Sequence, residues 1–128
     1  MSYTITWNEN HCLVEFSGDI NISDIELANK YCHGDKRLYK LTASIWDFTR
    51  CTSINVESGE LHYITIVDLG STEDLKDHKV ALIINDPAAT KVLKEYPTDS
   101  KKYGNPWKIS IFSSLEGAED WLFAKQMV

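Results

Sequence analysis

The fold of this chain is decided by three consecutive segments, which read Leu41-Thr-Ala-Ser-Ile-Trp-Asp47, Phe48-Thr-Arg-Cys-Thr-Ser53 and Asn55-Val-Glu-Ser-Gly59. The first segment is mostly apolar, which is typical of a strand covered on both faces in a parallel sheet. The second supplies polar turn residues, and the third begins an amphipathic segment. Together they predict an open α/β sheet, in which ligands collect at the carboxyl ends of the strands.

The segments upstream predict a hairpin and a first helix. Tyr3–Trp7 alternates apolar and polar residues, as a half-buried strand does. Cys12–Gly18 follows a polar turn and is expected to return as the second strand of the hairpin. Asn21 or Ser23 can cap a helix by accepting a hydrogen bond from a free backbone N–H, and Gly34 is placed to end that helix.

Downstream, the apolar periodicity predicts a second helix over Glu57–Leu69, with Ser53 as its cap. The expected inner face of this helix carries Ile54, Leu61, Ile64 and Val67. Lys79–Asn85 has the pattern of a buried strand. Asp86-Pro87 follows at once and supplies the cap and the first position of a third helix.

The third helix must stop before Pro97, and Thr98–Pro106 is expected to form a polar loop. Trp107–Phe112 predicts the last strand. Ser113-Ser-Leu-Glu116 matches a capping box at the start of a final helix. The resulting order, β-β-α-β-α-β-α-β-α, predicts one α/β domain over residues 1–128. We expect a mostly parallel sheet with an N-terminal antiparallel hairpin and helices packed on the sheet.

Composition excludes several classes of function. The 128 residues carry a formal net charge of -6, whereas nucleic-acid binding needs a basic face, so no nucleic-acid partner is expected. No apolar run is long enough to span a bilayer, so no membrane span is expected. Cys12, Cys32 and Cys51 are odd in number and widely spaced, which indicates reduced thiols in a cytoplasmic protein.

Two carboxylates are candidate site residues, because Asp47 and Asp86 both follow predicted parallel strands. With Thr49 and Arg50 they could serve an enzyme that works at the strand ends, although Asp86 also fits a helix cap and Asp47 a turn. Cys51 lies beside Arg50, which would lower the pKa of its thiol, but the sequence places no histidine next to it. We predict no metal site, cofactor or catalytic residue, because no such motif or spacing is present.

The tryptophans leave a further function open. Trp7, Trp46, Trp107 and Trp121 lie on faces of predicted elements, where core packing is the usual role of an aromatic side chain. They could instead line a pocket between the sheet and the helices, in which the protein would carry a small apolar ligand. The second or the last helix could also expose an apolar stripe, which leaves a homodimer open.

The elements resemble the STAS domain of bacterial anti-sigma-factor antagonists, and more closely the SpoIIAA-like branch of small bacterial proteins of unknown role. The likeness is carried by the opening hairpin, the strands Leu41–Asp47 and Val80–Asn85, and the ending Phe112-Ser-Ser-Leu-Glu116 with Ala118 and Trp121-Leu122. It covers nearly the whole chain. The resemblance implies the same α/β fold and a regulatory or binding role.

The resemblance also implies where a regulatory switch would lie. In the antagonists, a kinase phosphorylates a serine in an Asp-Ser-Ser-Gly motif at the start of the second helix. The nearest match here is Glu57-Ser58-Gly59, inside the predicted helix. We therefore expect a non-enzymatic module that acts through a protein partner or a small ligand. Its predicted ligand or regulatory turn comprises Asp47, Thr49, Arg50, Thr52, Ser53, Ser58 and Asp86.

Overall fold

A sheet whose strands follow one another in sequence order forms the centre of the fold. The computed structural model describes residues 2–71, 74–75 and 77–123. Within them lie five strands, β1 (Tyr3–Trp7), β2 (His11–Asn21), β3 (Ala43–Asn55), β4 (Lys79–Ile83) and β5 (Lys108–Phe112). β1 pairs antiparallel with β2, and all other neighbours in the sheet are parallel. The predicted α/β architecture with its N-terminal hairpin is therefore confirmed.

Helices connect the parallel strands, and a last helix follows β5. They are α1 (Ile22–His33), α2 (His62–Leu69), α3 (Pro87–Leu93), α4 (Glu95–Lys102) and α5 (Leu115–Phe123), with a 3-10 helix over Lys36–Lys40. Asn21 caps α1 in a capping box with Asp24. Asp86 caps α3 by accepting from the Ala88 N–H, with Pro87 in the first turn. Both predicted caps thus satisfy backbone donors that a helix start leaves without a partner.

The third strand is longer than the sequence predicts, and the second helix starts later. β3 continues to Asn55, paired with β2 as far as Asn21. The prediction that Ser53 caps a helix is wrong, because its hydroxyl donates to Asp19 on β2 (2.7 Å). The β-branched residues around it favour a strand. As a result α2 is short, its start has no side-chain cap, and Ser58 precedes the helix instead of lying inside it.

Two details of the C-terminal third also differ from the sequence prediction. The predicted loop Thr98–Pro106 is wrong over its first part, which belongs to α4. Pro97 lies in the first turn of α4, where a missing N–H removes no helical hydrogen bond. Ser114, and not Ser113, caps α5 by accepting from the Gly117 N–H (3.1 Å). The capping contact is therefore one residue later than the predicted box.

Two apolar cores lie on opposite faces of the sheet, because alternate residues of a strand point to opposite sides. On one face, helices α1 to α4 pack against strand residues that include Val14 and Phe16. On the other face, α5 covers a smaller cluster around Ile45, with Ala118 fully buried. The larger core is the one that contains the candidate site.

Candidate functional site

The two carboxylates that the sequence singled out make local hydrogen bonds. Asp47 accepts from the backbone N–H (2.9 Å) and from the hydroxyl (2.7 Å) of Thr49. Asp86 is the cap of α3, and Arg50 is exposed. Asp47 therefore orders the backbone next to it within β3, and Asp86 orders the start of α3.

The hydroxyl residues of the predicted site lie in two places. Thr52 and Ser53, on β3, donate to the same oxygen of Asp19 (2.8 and 2.7 Å). These hydrogen bonds, first the one from Ser53, lower the pKa of Asp19. Ser58 is exposed in the turn that follows β3. The structure thus brings Thr52 and Ser53 together and places Ser58 in a separate segment.

Cys51 lies within β3 and is half-buried, and the expectation that Arg50 lowers the pKa of its thiol is wrong. Burial, and after it the negative charge of Asp47, raises the pKa of the Cys51 thiol to about 11. A thiol with this pKa is protonated at neutral pH and is a weak nucleophile.

A cavity lies in the larger core, between the sheet and helices α1 to α4, where the sequence left a tryptophan-lined pocket open. Its volume is about 50 Å³, and most of its lining is apolar. Two of the four tryptophans singled out by the sequence, Trp46 and Trp107, line it together with Phe48 and Tyr96. Among the described lining residues there is no Lys or Arg. The described lining is therefore mainly aromatic and aliphatic, and its nitrogen bases are the imidazoles of His33 and His78.

Asp68 on α2 is the centre of one polar side of the cavity and is only 2% exposed. Its carboxylate accepts from Asn29 Nδ2 (3.2 Å) and from the Tyr96 hydroxyl, and His33 Nε2 lies 3.0 Å from it. Burial, and next the charge of Asp68, raises the pKa of Tyr96 well above its usual value, so the phenol remains a donor. One carboxylate thus connects α2 with α1 and α4.

A second polar group of the cavity is centred on Ser44. Its Oγ lies 2.6 Å from His78 Nε2 and accepts from the Cys12 thiol (3.4 Å). Burial lowers the pKa of His78 to about 4, although a weaker effect of the Leu41 backbone raises it. The imidazole is therefore neutral at pH 7, and its Nδ1 makes no hydrogen bond of normal geometry.

These polar groups lie near the amino ends of the strands, opposite the edge that the sequence indicated. Cys12 and Ser44 face each other near the starts of β2 and β3, and His78 directly precedes β4. They come from separate elements, so no local motif joins them. For this polar side of the cavity, the available signal in the sequence was Asp68, a carboxylate seven residues after Leu61 on the apolar face of α2.

Among the described residues, no three His, Cys, Asp or Glu side chains are grouped so that they could hold a metal ion. Within residues 2–71, 74–75 and 77–123, no helix has the length and apolar character required to cross a membrane. Cys12, Cys32 and Cys51 all carry free thiols.

Solved structures share this arrangement of sheet and helices. The anti-sigma factor antagonist SpoIIAA in its unphosphorylated form matches with a TM-score of 0.55 and 17% identity, over 96% of this chain and 99% of that chain. The chain has the SpoIIAA fold. The phosphorylated form of SpoIIAA from Bacillus also gives a TM-score of 0.55, with 16% identity over 94% of this chain and 98% of that chain.

A third match with a SpoIIAA-like fold is an uncharacterised protein of the DUF3478 family from Shewanella loihica. It has a TM-score of 0.50 and 18% identity, over 94% of this chain and 91% of that chain. No protein-family model matches the chain, and no curated protein matches it significantly. These likenesses confirm the STAS-like fold that the sequence predicts, and at such identities they show the fold alone.

Proposed function

We propose that this chain is a non-enzymatic binding module that encloses a small ligand in the cavity between its sheet and its helices. The observation that carries the proposal is the cavity, which is apolar over most of its lining and polar around Asp68 and His78. Small-molecule sites commonly combine an apolar lining with a few polar groups that orient the ligand. Asp68 and His78 would fill that role here.

The size of the cavity limits the ligand. One buried water requires about 10–15 Å³ on the same scale, so the space corresponds to about three to five non-hydrogen atoms. The volume of about 50 Å³ is therefore suited to a small molecule, and a larger ligand would require the helices to move. Trp107 and Tyr96 lie at the lining and would report its arrival.

The hydrogen bonds that Asp47, Asp68 and Asp86 already accept favour a binding function over a catalytic one. Asp68 has three neighbouring donors, Asp47 is bonded to Thr49, and Asp86 caps a helix. A general base needs a carboxylate or imidazole that is free to reach the proton of a substrate. We therefore favour a binding module over the alternative of an enzyme that works at the strand ends.

The test uses three small probes of different charge: tert-butanol, tetramethylammonium and acetate. Binding is followed by tryptophan fluorescence and by NMR chemical shifts. Ile64 lines the cavity, whereas Ile66 on the same helix is 52% exposed. Ile64→Phe should fill the space and abolish binding, and the matched variant Ile66→Phe adds the same ring at the surface and should bind as the wild type does.

Saturable binding of at least one probe that is lost only when the cavity is filled supports the proposal. Leu93→Phe, which changes another lining residue, provides a second filling variant if Ile64→Phe does not fold. The proposal fails if none of the three probes binds the wild type saturably, or if a folded filling variant binds them unchanged.

A second candidate function is binding of a protein partner at the turn between β3 and α2. Ser58 is exposed there, and SpoIIAA is an anti-sigma factor antagonist known in a phosphorylated and an unphosphorylated form. The Gly59 N–H donates to Glu95 of α4 (2.8 Å), and Glu57 and Glu60 flank the serine. A phosphate would be repelled by these carboxylates, so we favour a partner contact that does not depend on phosphorylation.

The turn is tested with a photo-crosslinking residue at position 58 and a control at the exposed position 101. A partner contact predicts a discrete adduct from position 58 that Glu57→Arg weakens. Equal labelling from both positions would exclude a specific contact. The further residues of the predicted turn, Asp47, Thr49, Arg50, Thr52, Ser53 and Asp86, are then the next positions to probe.

We also propose that the protein acts in the cytoplasm, because three free cysteines are typical of a reducing compartment. A homodimer stays an alternative to a separate partner. Native mass spectrometry of freshly purified protein distinguishes a homodimer from a monomer and also shows whether a small molecule is retained, since it reports the number of chains and the mass of a bound molecule.

A further inference from the structure

We propose that the ligand of the cavity is a small alkylammonium cation, such as a methylated amine with about three to five non-hydrogen atoms. This inference rests on the proposed function and specifies its ligand. It is carried by the buried carboxylate of Asp68 together with the aromatic side chains that line the same small space.

The charges around the cavity favour a cation. Asp68 is the sole carboxylate among the described lining residues, and no Lys or Arg lines the space. A second buried anion would be repelled by Asp68 and would lose its hydration, which makes an anionic ligand costly. The net charge of the whole chain, -6, acts in the same direction on a ligand that approaches from solution.

The hydrogen bonds of His33 are compatible with an uncompensated charge on Asp68. His33 Nε2 lies 3.0 Å from the carboxylate, and its Nδ1 lies 2.8 Å from the Ser71 hydroxyl. A neutral imidazole with its proton on Nε2 satisfies both contacts, because it donates to Asp68 and accepts from Ser71. In that form the imidazole brings no positive charge to the carboxylate, which can attract a cationic ligand through space while its hydrogen bonds to Asn29 and Tyr96 stay in place.

The aromatic lining supplies the second part of the recognition. Trp46, Phe48, Tyr96 and Trp107 all line the cavity. Aromatic rings attract cations through their quadrupole, and alkylammonium groups are recognised by sets of such rings in proteins. Methyl groups on the nitrogen also suit the aliphatic part of the lining, which includes Leu61 and Leu82. A methylated amine therefore matches the charge and the apolar character of the space.

The decisive comparison is between tetramethylammonium and tert-butanol in the wild type. The two probes have the same number of non-hydrogen atoms and nearly the same shape, so a difference in affinity reports the charge. We expect tetramethylammonium to bind about tenfold more tightly than tert-butanol, and acetate not to bind. Isothermal titration calorimetry and tryptophan fluorescence provide the two affinities.

Variants identify the groups that create the preference. Asp68→Asn removes the charge, and should bring the ratio of the two affinities close to one. Phe48→Leu removes one ring and should lower the ratio by a smaller factor. Asp99→Asn, on the neighbouring α4, is the matched control, because Asp99 does not line the cavity. It should leave the ratio of the wild type unchanged.

The outcomes separate this inference from the proposed function. If tert-butanol or acetate binds as tightly as tetramethylammonium in the wild type, the cavity binds ligands but the choice of a cation is wrong. If none of the probes binds, both proposals are wrong. Binding of tetramethylammonium that a folded Ile64→Phe variant retains would place the cation outside the cavity and would also overturn the inference.

Discussion

Replacement of Tyr96 by phenylalanine tests the buried network that forms the polar side of the cavity. Tyr96 is 7% exposed, and its hydroxyl donates to Asp68, which is 2% exposed. A hydrogen bond to a charged group contributes about 1.5–3 kcal/mol. Asn29 and His33 still contact the carboxylate in Tyr96→Phe, so we expect a loss of about 1.5–2 kcal/mol in the free energy of unfolding.

Urea unfolding followed by tryptophan fluorescence measures this loss. For a domain of this size, the midpoint should fall by about 1 M, because the free energy changes by about 1–3 kcal/mol per molar urea. Tyr103→Phe is the matched control, since Tyr103 is 46% exposed, and should change the stability by less than about 0.5 kcal/mol. A Tyr96→Phe variant as stable as this control would refute the network around Asp68.

The wild type and Tyr96→Phe should also differ in how their free energy of unfolding depends on pH. The pKa of Tyr96 is raised in the folded state, mainly by burial and next by the charge of Asp68. Its protonated form therefore stabilises the fold fully below the unfolded pKa of about 10, and this contribution is lost as the pH rises beyond it. The wild type should lose stability above pH 10 more steeply than Tyr96→Phe. Parallel curves would show that the phenol is not buried in the folded state.

Three further predictions concern stability and are all measured by urea unfolding. Burial lowers the pKa of His78 to about 4. The free energy of unfolding should therefore fall by up to about 3 kcal/mol as the pH falls from 6.5 towards 4, and His78→Gln should not show this decrease. Because Asn21 caps α1, Asn21→Ala should lower the free energy of unfolding by about 1 kcal/mol, whereas Ser23→Ala should change it little. Gly59→Ala should lower the free energy of unfolding by about 1 kcal/mol, because φ at this position is 89°. A new Cβ would meet no atom within 4 Å, so no steric clash adds to this loss.

The sequence predicted the elements whose signals are local. The alternation in Tyr3–Trp7 and the cap-proline pair Asp86-Pro87 each depend on a few adjacent residues, and the structure has both as expected. The length of β3 could not be predicted in this way. Its second half is held by pairing with β2 and by the bonds of Thr52 and Ser53 to Asp19, which are contacts between residues distant in sequence.

The sequence predicted less of the candidate site than of the fold. The expectation of a site at the carboxyl ends of the strands applies to ligands bound outside an open sheet, whereas the cavity lies between the sheet and the helices. Its polar groups are placed by tertiary packing: Asp68 meets His33 from another helix, and Ser44 meets His78 from the segment before β4. The signals in the sequence were the tryptophans, of which Trp46 and Trp107 line the cavity, and Asp68 as a carboxylate on an apolar helix face.

The measurement that tests the central claim most directly is the location of a bound probe by intermolecular nuclear Overhauser effects. The methyl protons of tetramethylammonium should show contacts with side chains of the cavity lining, foremost Ile64 and Trp107. The surface groove between α1 and α2, which includes Leu27 and Tyr63, is the internal comparison. Contacts with the lining residues are the predicted result, and contacts confined to the groove, or none at all, would contradict a ligand enclosed between sheet and helices.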